Sequence, residues 1–418
     1  MRFERLHEPS AAQVRALWPP APGVEADVAA ILARVRSGGD AALRELAERF
    51  DPAGVAPDRM SVPVEEIEAA LGWADPVLLE AMQVAVANVR AVADTQVAHG
   101  TVLELAPGQI VDIAEVPVRR IGAYIPSGRA PYPSTVIMCA VTARAAGVQE
   151  IAVCTPPSVA DARIHPLILA ACAVCGVHEV YRVGGAQAIG ALAYGTESIR
   201  PVDVIVGPGS QYVQEAKRQV AGLVGIDGIA GPSELVVVAT DDADPQFIAF
   251  DLLAQAEHGP DSPLAVLSPD PLLLDMVVEA VGRLGAERPS VTDALLAVVE
   301  VRDGAAGIAL ADEIAPEHLQ LIGDDAEDLF ERVTRAGCVF LGEMAGTAFG
   351  DYVVGSNHVL PTGGSARFAG ALTPRVFRRR MARVSLTDEA AARLAPHGAA
   401  IARAEGFPVH GESMERRA

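Results

Sequence analysis

From about Arg119 onward, short β-branched runs alternate with helix-length stretches, and this alternation limits the possible folds more than any other feature of the chain. Strand-length runs lie at 120–124, 150–154, 179–183, 202–206, 235–239, 264–267, 307–310 and 338–341. Between them, residues 134–146, 164–176, 186–194, 211–220, 246–257, 272–284 and 326–335 carry helical patterns. Strand, helix and strand in repeated order make βαβ units, which give parallel sheets covered by helices. The strand count suffices for two α/β sheets.

The flanks have a different texture. Roughly the first 100 residues are rich in Ala, Glu and Arg, with apolar residues three and four apart at 24–36, 40–50, 64–71 and 76–96. Breaks at Pro19-Pro20 and Gly38-Gly39 separate them, so a helical lead-in is expected. The last ~45 residues return to charged helical patterning, basic at 375–383 and helical at 388–405, with a polar end.

Half of the 418 residues are hydrophobic, and at roughly 150 residues per domain the chain holds two or three cored domains. The positive mean hydropathy, +0.27, raises a membrane. No apolar run approaches the ~18 residues needed to span one. With 33 basic and 54 acidic residues the net charge is -21, which disfavours nucleic acid and anionic membranes as partners. Lys217 is the only lysine and reads as compositional bias. The first residues lack the apolar segment of a signal peptide, and five cysteines are an odd set, so a reducing cytoplasm is the expected setting. Cys172 and Cys175 lie in an apolar helix without a second pair and read as core residues.

Glycine and proline gather after the strands, at Ile125-Pro126-Ser127-Gly128, Gly184-Gly185, Gly207-Pro208-Gly209 and Ala230-Gly231-Pro232-Ser233. Ligands of open α/β sheets bind at the carboxyl ends of strands, where such turns lie. The run from Gly184 to Gly190 could bring backbone close to a phosphate, yet it is not G-x-G-x-x-G, and tight strand-to-helix turns explain it equally. Gln255 and His258 share one helical face at i, i+3, within reach of one ion, although a histidine closing a helix is also ordinary. Pro316-Glu317-His318 sets a carboxylate beside an imidazole at an expected helix start, a pairing suited to proton transfer near neutral pH. The glycine-punctuated loop holding Asp351, Asn357 and His358 is the strongest local pointer to a site.

Taken together, the motifs resemble the histidinol dehydrogenase family over nearly the whole chain. The most specific block runs from Val224 through Ala230-Gly231-Pro232-Ser233-Glu234, followed by Asp251 to Ser262. Gly184 to Gln187, Ala315 to Leu319, Gly350 to Tyr352 and Asn357 to Thr362 match in order. The resemblance implies an α/β fold of two Rossmann-like, incompletely doubly wound parallel-sheet domains, with a helical N-terminal segment and a small swapped C-terminal helical arm. The corresponding divisions are 1–24 (N-terminal helical arm), 25–118 with 234–370 (first α/β domain), 119–233 (NAD-side domain) and 371–418 (C-terminal arm). The implied activity is the zinc-dependent, NAD-linked four-electron oxidation of L-histidinol, through L-histidinaldehyde, to L-histidine, by a homodimer with shared sites.

Carried over residue by residue, the resemblance makes Gln255, His258, Asp351 and His410 the ligands of one zinc per subunit, His410 coming from the partner. His318 is then the general base for the alcohol, and Glu317 activates the water that attacks the aldehyde. Ser233, His358 and Glu405 match substrate-contacting positions, as do His318 and the zinc ligands. Tyr124, Gln187 and Ser210 match cofactor-contacting positions, Ser210 standing where the family usually has Asn. Gly228, residues 343–348 and residues 377–382 also depart from the usual pattern. Two other readings stay open: a paralogue acting on another small polar alcohol, and a non-catalytic α/β protein that binds a small ligand or metal.

Overall fold

The computed structural model describes residues 1–18, 23–51, 57, 59–127, 130–158, 163–240 and 242–418. Pro19-Pro20 and Gly128 lie outside them. The strands, in chain order, are β1 (Arg2–His7), β2 (Thr101–Ala106), β3 (Gln109–Pro117), β4 (Arg120–Tyr124), β5 (Glu150–Thr155), β6 (Glu179–Arg182) and β7 (Val204–Val206). There follow β8 (Gly225–Ile226), β9 (Leu235–Ala239), β10 (Leu264–Ser268), β11 (Leu295–Glu300), β12 (His318–Ile322), β13 (Cys338–Leu341) and β14 (Arg378–Leu386).

Two sheets are wholly parallel, as the alternation requires. One has the order β1-β11-β10-β9-β12-β13 and the other β6-β5-β4-β7-β8. Side chains along a strand alternate between faces, and each sheet is covered on both. In β4, Ile121 and Ala123 pack with Met82, Val89 and Val136, whereas Tyr124 packs on the other face with Val28, Ile31 and Ile189. In β9, Leu235 and Val237 face Leu252 and Val277 while Val236 and Val238 face Ile308 and Ile314.

Several expectations are corrected. The N-terminal arm expected to be helical opens with β1, an edge strand paired with β11; its half-exposed, polar sequence hides the strand pattern. Helices Glu25–Phe50 and Pro76–Thr95 pack with the five-stranded sheet, so they group with 119–233 and not with 234–370. Residues 307–310, expected as a strand, lie inside the helix Gly304–Ile314, which Asp303 caps by accepting the Ala306 N–H at 2.7 Å. Short apolar runs of that kind suit either element, and the capping residue decides. Within 326–335 only the turn Asp324–Glu327 and the 3-10 turn Phe330–Arg332 are helical. The basic stretch near 375–383 is mostly β14, antiparallel to β3 in a third sheet of order β14-β3-β2.

Among the described residues one helix, Pro76–Thr95, is long and apolar enough to cross a membrane by length and hydropathy. Met82, Ala85, Val89 and Ala93 are buried along it, and the first three join the core beneath β4. That is the amphipathic stripe of a helix packed on a sheet.

Candidate active site

Between the two parallel sheets lies a cleft of about 1780 Å³, and most of the residues singled out in the sequence line it: Tyr124, Gln187, Ser210, Ser233, His258, Glu317, Asp351 and His358. The sheets present opposite ends to it. Tyr124 ends β4 and Gly207 follows β7, so the five-stranded sheet offers carboxyl ends, as expected of such folds. Ser233 and Glu234 precede β9 and His318 opens β12, so the six-stranded sheet offers amino ends. The expected helix start at Pro316 is therefore corrected: Ala315 takes a left-handed turn with φ 50° that ends the preceding helix, and Glu317 leads into a strand.

Glu317 and His318 are buried, with Oε2 and Nδ1 3.4 Å apart. Glu317 Oε2 accepts from Ser233 Oγ at 2.6 Å and from the Glu234 N–H at 2.8 Å. Glu234 returns the contact: its Oε2 accepts the Glu317 N–H at 3.2 Å, and its Oε1 accepts the Gly363 N–H at 2.7 Å. The two glutamates thus clasp each other reciprocally. His318 Nδ1 lies 2.9 Å from the Glu234 carbonyl oxygen, which fixes the proton on Nδ1 and leaves Nε2 facing Asp351 Oδ1 at 3.7 Å. Burial disfavours charge on this imidazole, but the Glu317 and Asp351 carboxylates outweigh it and raise its pKa well above the ordinary value. Burial likewise opposes ionisation of Asp351, and the facing histidines, His318 foremost, hold its pKa below the usual carboxylate range.

His358 bridges two elements, Nδ1 at 2.8 Å from the Asp351 carbonyl and Nε2 at 3.1 Å from Thr135 Oγ1. Burial pushes its pKa down, so the neutral ring donates to the carbonyl and accepts from the hydroxyl. Both nitrogens are engaged within the chain.

Sequence reading missed Glu234 as a functional residue, although it stands inside the most specific block. Burial is the largest influence on it, opposed by the Gly363 N–H and supported by the Glu317 charge, and its pKa is pushed from 4.5 up to about 7. The folded protein then holds this proton more tightly than the unfolded chain. Its contribution to stability is complete below about pH 4.5 and is lost as pH rises through about 7. Between pH 5 and pH 8 the wild type should therefore lose more stability than Glu234→Gln. Denaturant midpoints at the two values check this, and equal losses would refute it.

Gln255 is 2% exposed, and its Nε2 is buried with no hydrogen-bond partner. It closes the helix Pro245–Ala256, against which the helix Thr347–Tyr352 packs and so brings Asp351 near His258. An amide oxygen, an imidazole and a carboxylate held ionised are the N/O donors that zinc accepts. Among the described residues no three His, Cys, Asp or Glu side chains are grouped to hold a metal ion. Gln255, His258 and Asp351 fit a zinc ion as an incomplete set needing a further donor. His410 and Glu405 are exposed and do not line the cleft of their own chain; His410 lies on the helix Pro408–Glu415, packed on Asp388–Ala404 beyond β14.

On the opposite wall, Tyr124 Oη accepts the Gly185 N–H at 3.1 Å, and buried Gln187 sits in the first turn of the helix that Gly185 opens. Ser210 is exposed at the start of the helix Gln211–Val220. Burial raises the Tyr124 hydroxyl to about 12, so it stays a neutral hydrogen-bonding group.

An acid–base pair at one wall and glycine turns at the other, across a cleft between two parallel sheets, give the chain the layout of an α/β enzyme. The family model for histidinol dehydrogenase matches residues 20–418. The chain is 44% identical over 400 residues to histidinol dehydrogenase of Mesorhizobium japonicum, with 94% of this chain and 93% of that protein covered. It is 41% identical over 400 residues to histidinol dehydrogenase of Zymomonas mobilis, with the same coverage of each. The crystal structure of histidinol dehydrogenase from Elizabethkingia anophelis superposes with a TM-score of 0.90 at 32% identity, covering 100% of this chain and 98% of that one. The chain belongs to the histidinol dehydrogenase family.

Proposed function

We propose that the protein oxidises L-histidinol through L-histidinaldehyde to L-histidine, a four-electron reaction that closes histidine biosynthesis, in a cytoplasmic homodimer with shared active sites. The observation that carries this reading is the buried Glu317–His318 pair, clasped by Ser233 and Glu234 and facing Asp351. Zinc, when bound by Gln255, His258, Asp351 and His410 of the partner subunit, would orient the substrate, and NAD, bound near Tyr124, Gln187 and Ser210, would accept a hydride in each oxidation.

His318 in its neutral form takes the alcohol proton at Nε2. The buried Glu317 carboxylate, 3.4 Å from Nδ1, stabilises the imidazolium that results. Glu317 removes a proton from the water that adds to the aldehyde, with Ser233 and the Glu234 N–H holding its carboxylate in place. His358 steadies the Asp351 segment through its carbonyl. Ser233 of the same cleft, with Glu405 of the partner subunit, completes the substrate contacts. The five free thiols, three of them buried, accord with a reducing compartment.

The purified protein with zinc and NAD should form about two NADH per L-histidinol consumed, and a chelator should suppress the rate. NADH from another small alcohol but none from L-histidinol would overturn the substrate assignment in favour of a paralogue.

A further inference from the structure

The chain's only lysine is among its most deeply buried side chains. Lys217 lies on the helix Gln211–Val220 with its Nζ 2.5 Å from Asp227 Oδ1 and 3.0 Å from the Gly207 carbonyl oxygen. Asp227 Oδ2 accepts the Gly207 N–H at 2.7 Å, and Oδ1 accepts the Gly228 N–H at 2.8 Å. Both the N–H and the C=O of Gly207 are therefore fastened to one buried ion pair. Gly207 has a φ of 112°, and a Cβ there would fall 2.2 Å from the Tyr124 carbonyl oxygen, so the turn is pressed against the end of β4. One turn earlier on the same helix, Gln214 Oε1 accepts the Ala230 N–H at 2.9 Å. Residues 207–210 and 227–231, the two loops held in this way, line the cleft together on the side of Tyr124 and Gln187.

Stability alone does not call for such a pair. Removing two charges from water costs about as much as their attraction returns, and apolar replacements of similar volume are often neutral or stabilising. What an apolar pair could not supply is direction: the lysine donates to the turn's carbonyl while the aspartate accepts its N–H.

We propose that Lys217 and Asp227 are positioning residues that hold the Gly207–Ser210 turn in the shape that receives the dinucleotide. This rests on the reading that the Tyr124 side of the cleft takes NAD. The test uses the zinc-loaded, full-length enzyme and the double variant Lys217→Met with Asp227→Asn, which leaves no unpaired buried charge. The KM for NAD should rise about 10-fold or more, a size consistent with displacing a binding group by a fraction of an ångström. The kcat at saturating NAD, the KM for L-histidinol and the zinc content should each stay within about 3-fold of wild type, whereas loss of folded protein would lower kcat and leave KM alone. Asp227→Asn alone should shift the same KM in the same direction.

A double variant with the wild-type KM for NAD overturns the proposal. So does failure of both variants to fold, which would assign the pair to the core. If instead the wild type forms no NADH from any alcohol, the cofactor reading falls and the proposal with it, an outcome seen before any variant is made.

Discussion

Replacing His318 with Gln should lower kcat for L-histidinol by about 10²–10⁴-fold, the usual contribution of a positioned proton acceptor, while zinc content and thermal midpoint stay close to wild type. Glutamine keeps a polar group in the pocket but cannot take up a proton, and His318 lies behind the cation set at 3.7 Å from Asp351 without belonging to it. Glu317→Gln should be just as revealing for a different reason. Its amide oxygen can still accept both hydrogen bonds that Ser233 Oγ and the Glu234 N–H donate to Oε2. It cannot deprotonate water. NADH formed per alcohol consumed should fall from about two toward one as the aldehyde leaves unhydrated. Unchanged rates in both variants would remove these two residues from the chemistry, whereas no NADH from the wild type with any alcohol would fit a ligand-binding protein without catalysis.

Mixing two inactive proteins should restore activity. On the proposed shared-site arrangement, His410→Ala damages only the tail that a subunit gives away, and His318→Gln damages only the body that receives one. A mixed dimer then contains one intact site, built from the body of the first and the tail of the second. With random exchange of equal amounts, half of the dimers are mixed and each carries one working site of two, so about a quarter of wild-type activity should return. Zinc should follow the same rule for His410→Ala alone, falling well below one per subunit. If His410 served its own chain, every site in a mixed dimer would carry one defect and no activity would appear. The placement of His410, exposed on Pro408–Glu415 and outside the walls of its own cleft, motivates the experiment.

The parallel sheets were legible because buried strands must be nearly continuous in apolar residues: β9 and β10, buried throughout, occur within a residue of the positions their sequences indicate. β1 and β14 were not, because an edge or half-exposed strand keeps polar residues on its open side and loses that signal. The site was legible as residue types and only partly as geometry. Spacing could pair Gln255 with His258, but nothing local joins either to Asp351, nearly a hundred residues away, since that proximity comes from the packing of two helices. Glu234 and Lys217 were overlooked for a related reason. A lone glutamate beside a serine, or a single lysine among many arginines, acquires meaning only when burial shows that its charge must be answered by a specific partner.

The opposed ends of the two sheets leave the cleft electrically asymmetric before any side chain is counted. On the wall proposed for NAD, the helices Gly185–Tyr194 and Gln211–Val220 begin at the cleft with the positive ends of their dipoles toward it, a partial positive field suited to pyrophosphate. On the other side the helix Pro245–Ala256 ends two residues before His258, which lines the cleft, and the negative end of its dipole there gives a partial field suited to a cation. On the proposed assignment of the two walls, the backbone dipoles favour the anionic dinucleotide on one side and the metal cation and substrate amine on the other.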